Sequence, residues 1–248
     1  VLKEAQADVA QILGAARSFL LTDGSTCGVL SMLYAAKPEK LVFSAAAHKS
    51  VYNACRLLGI EQVVLDVVYR GGIPQQPSLG AIASALQNAG TGAGKGAVAV
   101  LLTSPDYYGN VAGFAAVRRI CDEYGAMLLC DGAHGGHLHG TPLHAGAWCD
   151  LWVDGVHKSL PAFTQGAVVS AKTEPLGERL AAAADVFRTT SPSYPILASV
   201  EYAVKYPRNL RLEREAERFK RRFRAYANAD WTKIVLSYGK NAPQVAGM

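Results

Sequence analysis

Apolar residues in this chain fall into short unbroken runs, with longer stretches of helical spacing between them. "SFLLT" (18–22), "KLVFSA" (40–45), "QVVLDVVY" (62–69), "AVAVLLTS" (97–104), "AMLLCD" (126–131), "DLWVDG" (150–155) and "GAVVSA" (166–171) are the strand candidates. Most are continuous rather than alternating, as expected of strands covered on both faces. Helices are predicted at 26–36, 49–58, 79–89, 113–124 and 175–187, with Ser78 as the N-cap of the third. An amphipathic helix opens the chain in "VLKEAQADVAQILGAA", which does not have the form of a secretory leader. Residues 193–228 are predicted mostly helical with a break at Pro207, and "KIVLSY" (233–238) begins a further strand. Such β-α alternation predicts an α/β fold with a mostly parallel sheet.

Composition adds limits rather than detail. The 248 residues are 50% hydrophobic and 18% charged, enough for a large core. No apolar run has the length of a membrane span. The five cysteines (27, 55, 121, 130, 149) form no CxxC pair, so reduced thiols and a cytoplasmic setting are expected. A net charge of +5 is concentrated near the end, where Lys205 to Arg224 holds nine Lys/Arg against three Glu. No nucleic-acid motif accompanies that run. It is read as a solvated helix face with Glu/Arg pairs, with Leu212, Phe219, Phe223 and Tyr226 as its apolar contacts.

In sheets of this class ligands bind beyond the carboxyl ends of the strands, so the residues that follow each strand carry the chemistry. "TDGSTCG" (22–28) has Gly24 for a tight turn, then Ser25 and Thr26 at a helix start suited to phosphate. They serve equally as ordinary helix caps. His48 stands at the next strand-helix junction, either structural or stacked on a planar ligand. "SPDYYGN" (104–110) marks a loop in which Tyr107 and Tyr108 contact ligand or merely pack. Asp131 ends a strand and needs a partner if buried. His134, His137, His139 and His144 with Asp131 and Cys130 suggest zinc, but HExxH and CxxC spacings are both missing, and no metal is expected. Lys158 lies between "LWV" and "AVV". A lysine there either snorkels to solvent or is a desolvated amine nucleophile. A phosphate turn, a stackable histidine, a strand-end carboxylate and a strand-end lysine are together the parts of a pyridoxal phosphate site.

"DGSTCG", "HKSVYNA", "TSPDYYGN", "DGAHGGHL", "DGVHKSLPAFTQGA" and "RTTSPSY" follow one another in an order and spacing that resemble the major domain of the Orn/Lys/Arg decarboxylases, from about residue 2 to 206. The resemblance implies a three-layer α-β-α fold with a mixed, mostly parallel sheet of about seven strands. It implies a cofactor-binding major domain over 1–205, and over 206–248 a helical connection and the start of a small C-terminal domain, most of which is expected to be absent. The segment that precedes the first helix in the family is expected to be absent as well. It implies pyridoxal 5'-phosphate as cofactor and decarboxylation of lysine, ornithine or arginine to a polyamine precursor. Lys158 resembles the Schiff-base lysine and Asp131 the partner of the pyridine nitrogen. His48 resembles the residue stacked on the ring, with His134 nearby. Ser25, Thr26 and His157 resemble phosphate ligands. Thr190 and Ser191 resemble residues that reach the phosphate from a neighbouring subunit, which implies a homodimer with a shared site. The alternatives are another reaction of the same cofactor (aldolase, lyase or aminotransferase) and a non-catalytic remnant. Two departures stand out. Ala45 and Ala46 replace Arg-Asn, and Gly155 replaces a serine that contacts phosphate. Loss of that contact, uncompensated, is worth about 10- to 150-fold in cofactor affinity, so Gly155→Ser is expected to tighten binding where the loop keeps the family's conformation.

Overall fold

The computed structural model describes residues 2–90 and 97–206, together with Arg214, Glu215, Arg218 and Arg221. The expected strand at 233–238, the apolar contacts of the basic stretch and nearly all of the proposed second domain lie outside the described residues. Helix α1 (Leu2–Leu13) leads into β1 (Arg17–Leu21), α2 (Gly24–Ala36), β2 (Lys40–Ser44), α3 (Lys49–Leu58) and β3 (Glu61–Leu65). A small hairpin, β4 (Tyr69–Arg70) and β5 (Ile73–Pro74), precedes α4 (Leu79–Ala89). Then come β6 (Val98–Thr103), α5 (Phe114–Glu123), β7 (Met127–Gly132), β8 (Leu151–Asp154), the one-turn helix α6 (Val156–Ser159), β9 (Ala167–Ala171), α7 (Glu174–Phe187) and α8 (Tyr194–Lys205).

Seven strands form one sheet in the order β1-β9-β8-β7-β6-β2-β3. Only β9 runs against the rest, pairing antiparallel with both β1 and β8. Each inner strand sends alternate residues to opposite faces, which is how an unbroken apolar run fills two cores at once. Along β6, Val98, Val100 and Leu102 join α1, α4, α5 and α8, whereas Ala99 and Leu101 join α2, α3 and α7. The three-layer α/β sandwich expected from the sequence is therefore what forms.

Two local expectations change. The run 62–69 is not one strand. Once Leu65 has paired with Ser44, the last residue of β2, no ladder partner remains. The chain then turns through Gly71 and Gly72, both at positive φ, into the β4–β5 hairpin. At the sheet edge β3 is also half exposed rather than buried. The helix α6 was not expected, because four residues carry no readable period. By contrast, Ser78 caps α4 as predicted, its Oγ accepting from the Ala81 N–H at 3.1 Å. All five cysteines are buried and unbonded, and burial pushes the Cys121 thiol up to about 12, away from reactivity.

Candidate active site

Five residues singled out in the sequence converge at the carboxyl edge of β7, β8 and β2. Asp131, on β7, is 2% exposed, and its Oδ1 accepts from the Ala133 N–H at 3.1 Å. Burial raises its pKa above the usual carboxylate value. That backbone hydrogen bond and the charges of His48 and Lys158 act in the opposite direction. His134, three residues on, is pushed down to about 4, first by burial, then by Lys158, His48 and His157. These mutual effects place His48, Asp131, His134, His157 and Lys158 in one electrostatic neighbourhood. Tyr107 meets the His134 ring edge-on, centroids 6.1 Å apart.

His48 is the N-cap of α3. The Ser50 N–H donates to its Nδ1 at 3.3 Å, and Ser50 Oγ lies 2.9 Å from the same nitrogen. Its ring is exposed, open to a planar partner. His157 is fixed by two donors, its backbone N–H and ring Nδ1, both on the Gly166 carbonyl at 3.0 and 2.9 Å. The neighbouring Gln165 carbonyl accepts from Gly24 N–H at 2.9 Å. One short loop thus ties the start of α2 to α6, and Gln165 takes up a left-handed φ of 77° to do so.

Of the two alternatives for Lys158, the structure has the solvent-facing one: it lies on α6 beyond the end of the strand and is exposed. The apolar run stops at β8, and α6 follows with Val156 buried and Lys158 on its exposed side. The lysine amine therefore stands at an open edge, within electrostatic reach of Asp131.

The phosphate turn has a clearer signature in space than in sequence. Gly24 adopts a positive φ of 73°. No side chain caps α2. Ser25 Oγ is buried with no hydrogen-bond partner, and Thr26 is exposed beside it. A buried hydroxyl left unpaired is costly, so an anion accepted there gives it a partner. Helix α2 reaches this position because Gly28 lets it lie directly on Val153 of β8, where a β-carbon would collide with a Val153 methyl.

Gly155 corrects the expectation drawn from the missing serine. A β-carbon at this position would collide with the Ala133 carbonyl oxygen and stand 2.9 Å from Ser25 Oγ. Serine does not fit this turn, and Gly155→Ser is not expected to tighten binding. Ser25 occupies the space beside Gly155 instead. Thr190 and Ser191 are exposed. Thr190 lines a surface cavity of about 380 Å³ with Thr22 and Asp23 of the same chain, next to the start of α2. Among the described residues no group of three or more His, Cys, Asp or Glu is arranged to hold a metal. His139 bonds the Gly136 carbonyl at 2.7 Å and His144 is held by Asp154. One polar residue the sequence reading passed over belongs to this edge. Thr103 pairs in register with Asp131, and its Oγ1 is buried without a partner.

Comparison with known proteins agrees with this geometry. The family described as Orn/Lys/Arg decarboxylase, major domain, matches residues 1–230. The chain belongs to that family. An uncharacterised relative, YaaO of Bacillus subtilis strain 168, is 34% identical over 220 residues, covering 85% of this chain and 45% of YaaO. An arginine decarboxylase of Halalkalibacterium halodurans is 27% identical over 215 residues, 83% of this chain and 43% of that protein. Among solved structures, the constitutive lysine decarboxylase of E. coli superposes with a TM-score of 0.72 at 23% identity, covering 91% of this chain and 35% of its own. The chain spans less than half the length of these relatives. Pyridoxal phosphate is the cofactor of the Orn/Lys/Arg decarboxylases. The unpaired Ser25 hydroxyl at a helix start, the buried Asp131 and the open lysine fit it.

Proposed function

We propose that this chain is the cofactor-binding part of an enzyme that removes the α-carboxylate of a basic amino acid: lysine, ornithine or arginine. The observation that carries the reading is the grouping of buried Asp131 with His48, His134, His157 and Lys158 beside the unpaired Ser25 hydroxyl. Lys158 would hold the cofactor's aldehyde carbon through Nζ, and Asp131 a proton on the pyridine nitrogen. His48 would lie against the ring. Ser25, Thr26 and His157 would hold the phosphate. When bound, pyridoxal phosphate supplies an electron sink for the pair left behind as carbon dioxide departs.

The chain's own groups divide the proton work. The Ala133 N–H fixes Asp131 Oδ1, so the carboxylate would be held in place to keep a proton on the ring nitrogen. His134, pushed down to about 4, is neutral near pH 7 and is a poor proton donor there. Lys158 Nζ, on the exposed side, would be the group that returns to the substrate's α-carbon the proton it takes from the substrate's ammonium. In the whole protein a second copy would bring its Thr190 and Ser191 towards the phosphate, in a cytoplasmic homodimer producing polyamine precursors.

The test is direct. Purified protein is titrated with pyridoxal phosphate, reduced with borohydride and peptide-mapped, then assayed for carbon dioxide release from the three amino acids. A pyridoxyl group on Lys158 is expected. A label on another lysine overturns the site. Release from none of the three by a full-length protein containing this chain overturns the substrate class.

A further inference from the structure

We propose that Gln76 is a positioning residue: its side-chain amide closes loop 104–110 and so holds Tyr107 against His134 in the candidate active site. Its bearing on catalysis rests on the function proposed above, while its hold on the loop rests on geometry alone. Gln76 lies away from the residues that carry the chemistry. It belongs to the linker between the β4–β5 hairpin and α4. Because β3 ends at Leu65, the chain makes a detour through that hairpin, which the Gln75 N–H closes on the Val68 carbonyl at 2.8 Å. The return path brings Gln76 beside the end of β6.

A glutamine amide has two N–H donors, and here both are used. Gln76 Nε2 donates to the Thr103 carbonyl at 2.9 Å and to the Asn110 carbonyl at 3.1 Å. Thr103 is the last residue of β6, so one side chain ties together the two ends of the loop. Asn110 bonds back to the linker. Its Nδ2 donates to the Pro74 carbonyl at 3.2 Å and to Asp106 Oδ2 at 2.9 Å. Within the loop, Asp106 Oδ1 accepts the N–H groups of Tyr108 and Asn110, both at 2.9 Å. A continuous set of hydrogen bonds thus runs from the linker to the residues that flank Tyr107.

Tyr107 is 63% exposed. A ring so open to water keeps its place chiefly through its backbone. It meets the His134 ring edge-on and Tyr108 in the same way, with centroids 6.1 and 5.5 Å apart. Tyr107 is therefore part of the cover over His134. Burial is the first cause of the low pKa of that histidine, ahead of the charges of Lys158, His48 and His157. Loosening the loop uncovers the ring while those three charges stay where they are. For the proposed reaction the consequence is that a closed loop keeps His134 neutral and leaves the return of the proton to Lys158.

The experiment is an NMR titration of the His134 ring from pH 7 to 4, without added cofactor, in wild type, Gln76→Met, Tyr107→Ala and the double variant. Methionine keeps the length of glutamine and removes both donors. In Gln76→Met, His134 should bind a proton about tenfold more tightly as water reaches it, its midpoint moving toward the ordinary 6.5. Tyr107→Ala should give the same gain, and the double variant no more than either change alone, because both act through one contact. Gln75→Met is the control. The Gln75 amide donates to the Ile73 carbonyl within the hairpin at 3.0 Å, so this change should leave the titration as in wild type. An unmoved midpoint in Gln76→Met, or gains that add in the double variant, would overturn the proposal. So would loss of a cooperative thermal melt in Gln76→Met, which would make Gln76 a residue of the whole fold. If His134 titrates as expected but the full-length wild type releases carbon dioxide from none of the three amino acids, the role of Gln76 in the loop stands and the proposed function fails.

Discussion

Asp131 and Asp154 end neighbouring strands, one residue apart in register, and both are almost wholly buried, at 2% and 1% exposure. Their surroundings are opposite. Asp154 faces the α1/α8 side and is fully engaged. His144 Nε2 lies 3.1 Å from each of its oxygens, and Trp152 Nε1 donates at 3.1 Å. Gly146 N–H donates to His144 Nδ1, which fixes the tautomer. Asp131 faces the α2/α3 side and receives one backbone N–H. A buried carboxylate with its donors complete is a structural part, while one left short of partners, with a lysine and histidines around it, is a site. Burial alone does not separate the two roles.

The largest effect that should separate them is all-or-none. Lys158→Ala removes the amine that Asp131 faces, so borohydride treatment with pyridoxal phosphate should leave no pyridoxyl group in that region, while thermal stability should hold because Lys158 is exposed. A label retained there would contradict its role. Next comes the structural acid. Asp154→Ala leaves the His144 and Trp152 donors buried and unpaired, and should cost about 3–5 kcal/mol in denaturant unfolding. A loss under 1 kcal/mol would mean that water reaches this pair.

His134 provides a pH test. Its folded pKa of about 4 lies below the ordinary 6.5, so the unfolded chain binds a proton more readily. Stability is unaffected above pH 6.5, falls as pH drops through the interval to 4, and has lost about 1–2 kcal/mol below it once solvent screening of the partly exposed ring is allowed for. His134→Gln should remove that share of the acid slope in urea melts at pH 7, 5.5 and 4. Gly155→Ser should cost about 1–3 kcal/mol of stability through overpacking against Ala133 and weaken cofactor binding, both readable in one titration series. Among the buried positions, the smallest change in stability should come from Asp131→Asn. Burial raises the Asp131 pKa, so its charge opposes folding above the unfolded carboxylate pKa. The variant should be as stable as wild type or more so at pH 7, yet lose turnover in the full-length enzyme. A marked loss of stability would place Asp131 in the same class as Asp154.

Sequence alone determined the layers of this protein. Continuous apolar runs set the inner strands, because a strand covered on both faces needs apolar residues at every position. Glycine, serine and histidine after those runs marked the carboxyl edge, because helix starts and tight turns demand particular residues. Lys158, Asp131, His48, His134 and Ser25 were legible for that reason. Tertiary structure decided what depends on neighbours distant in sequence. It ended β3 at Leu65, since the ladder stops where β2 stops. It set Lys158 in the open, since the one-turn helix after β8 buries Val156 and leaves Lys158 on its outer side. It excluded a side chain at Gly155, since the Ala133 carbonyl comes from another strand. It also gave two like aspartates different surroundings and left Thr103 Oγ1 without a partner. A residue's hydrogen bonds depend on what the fold places beside it, and the order of residues along the chain does not record that.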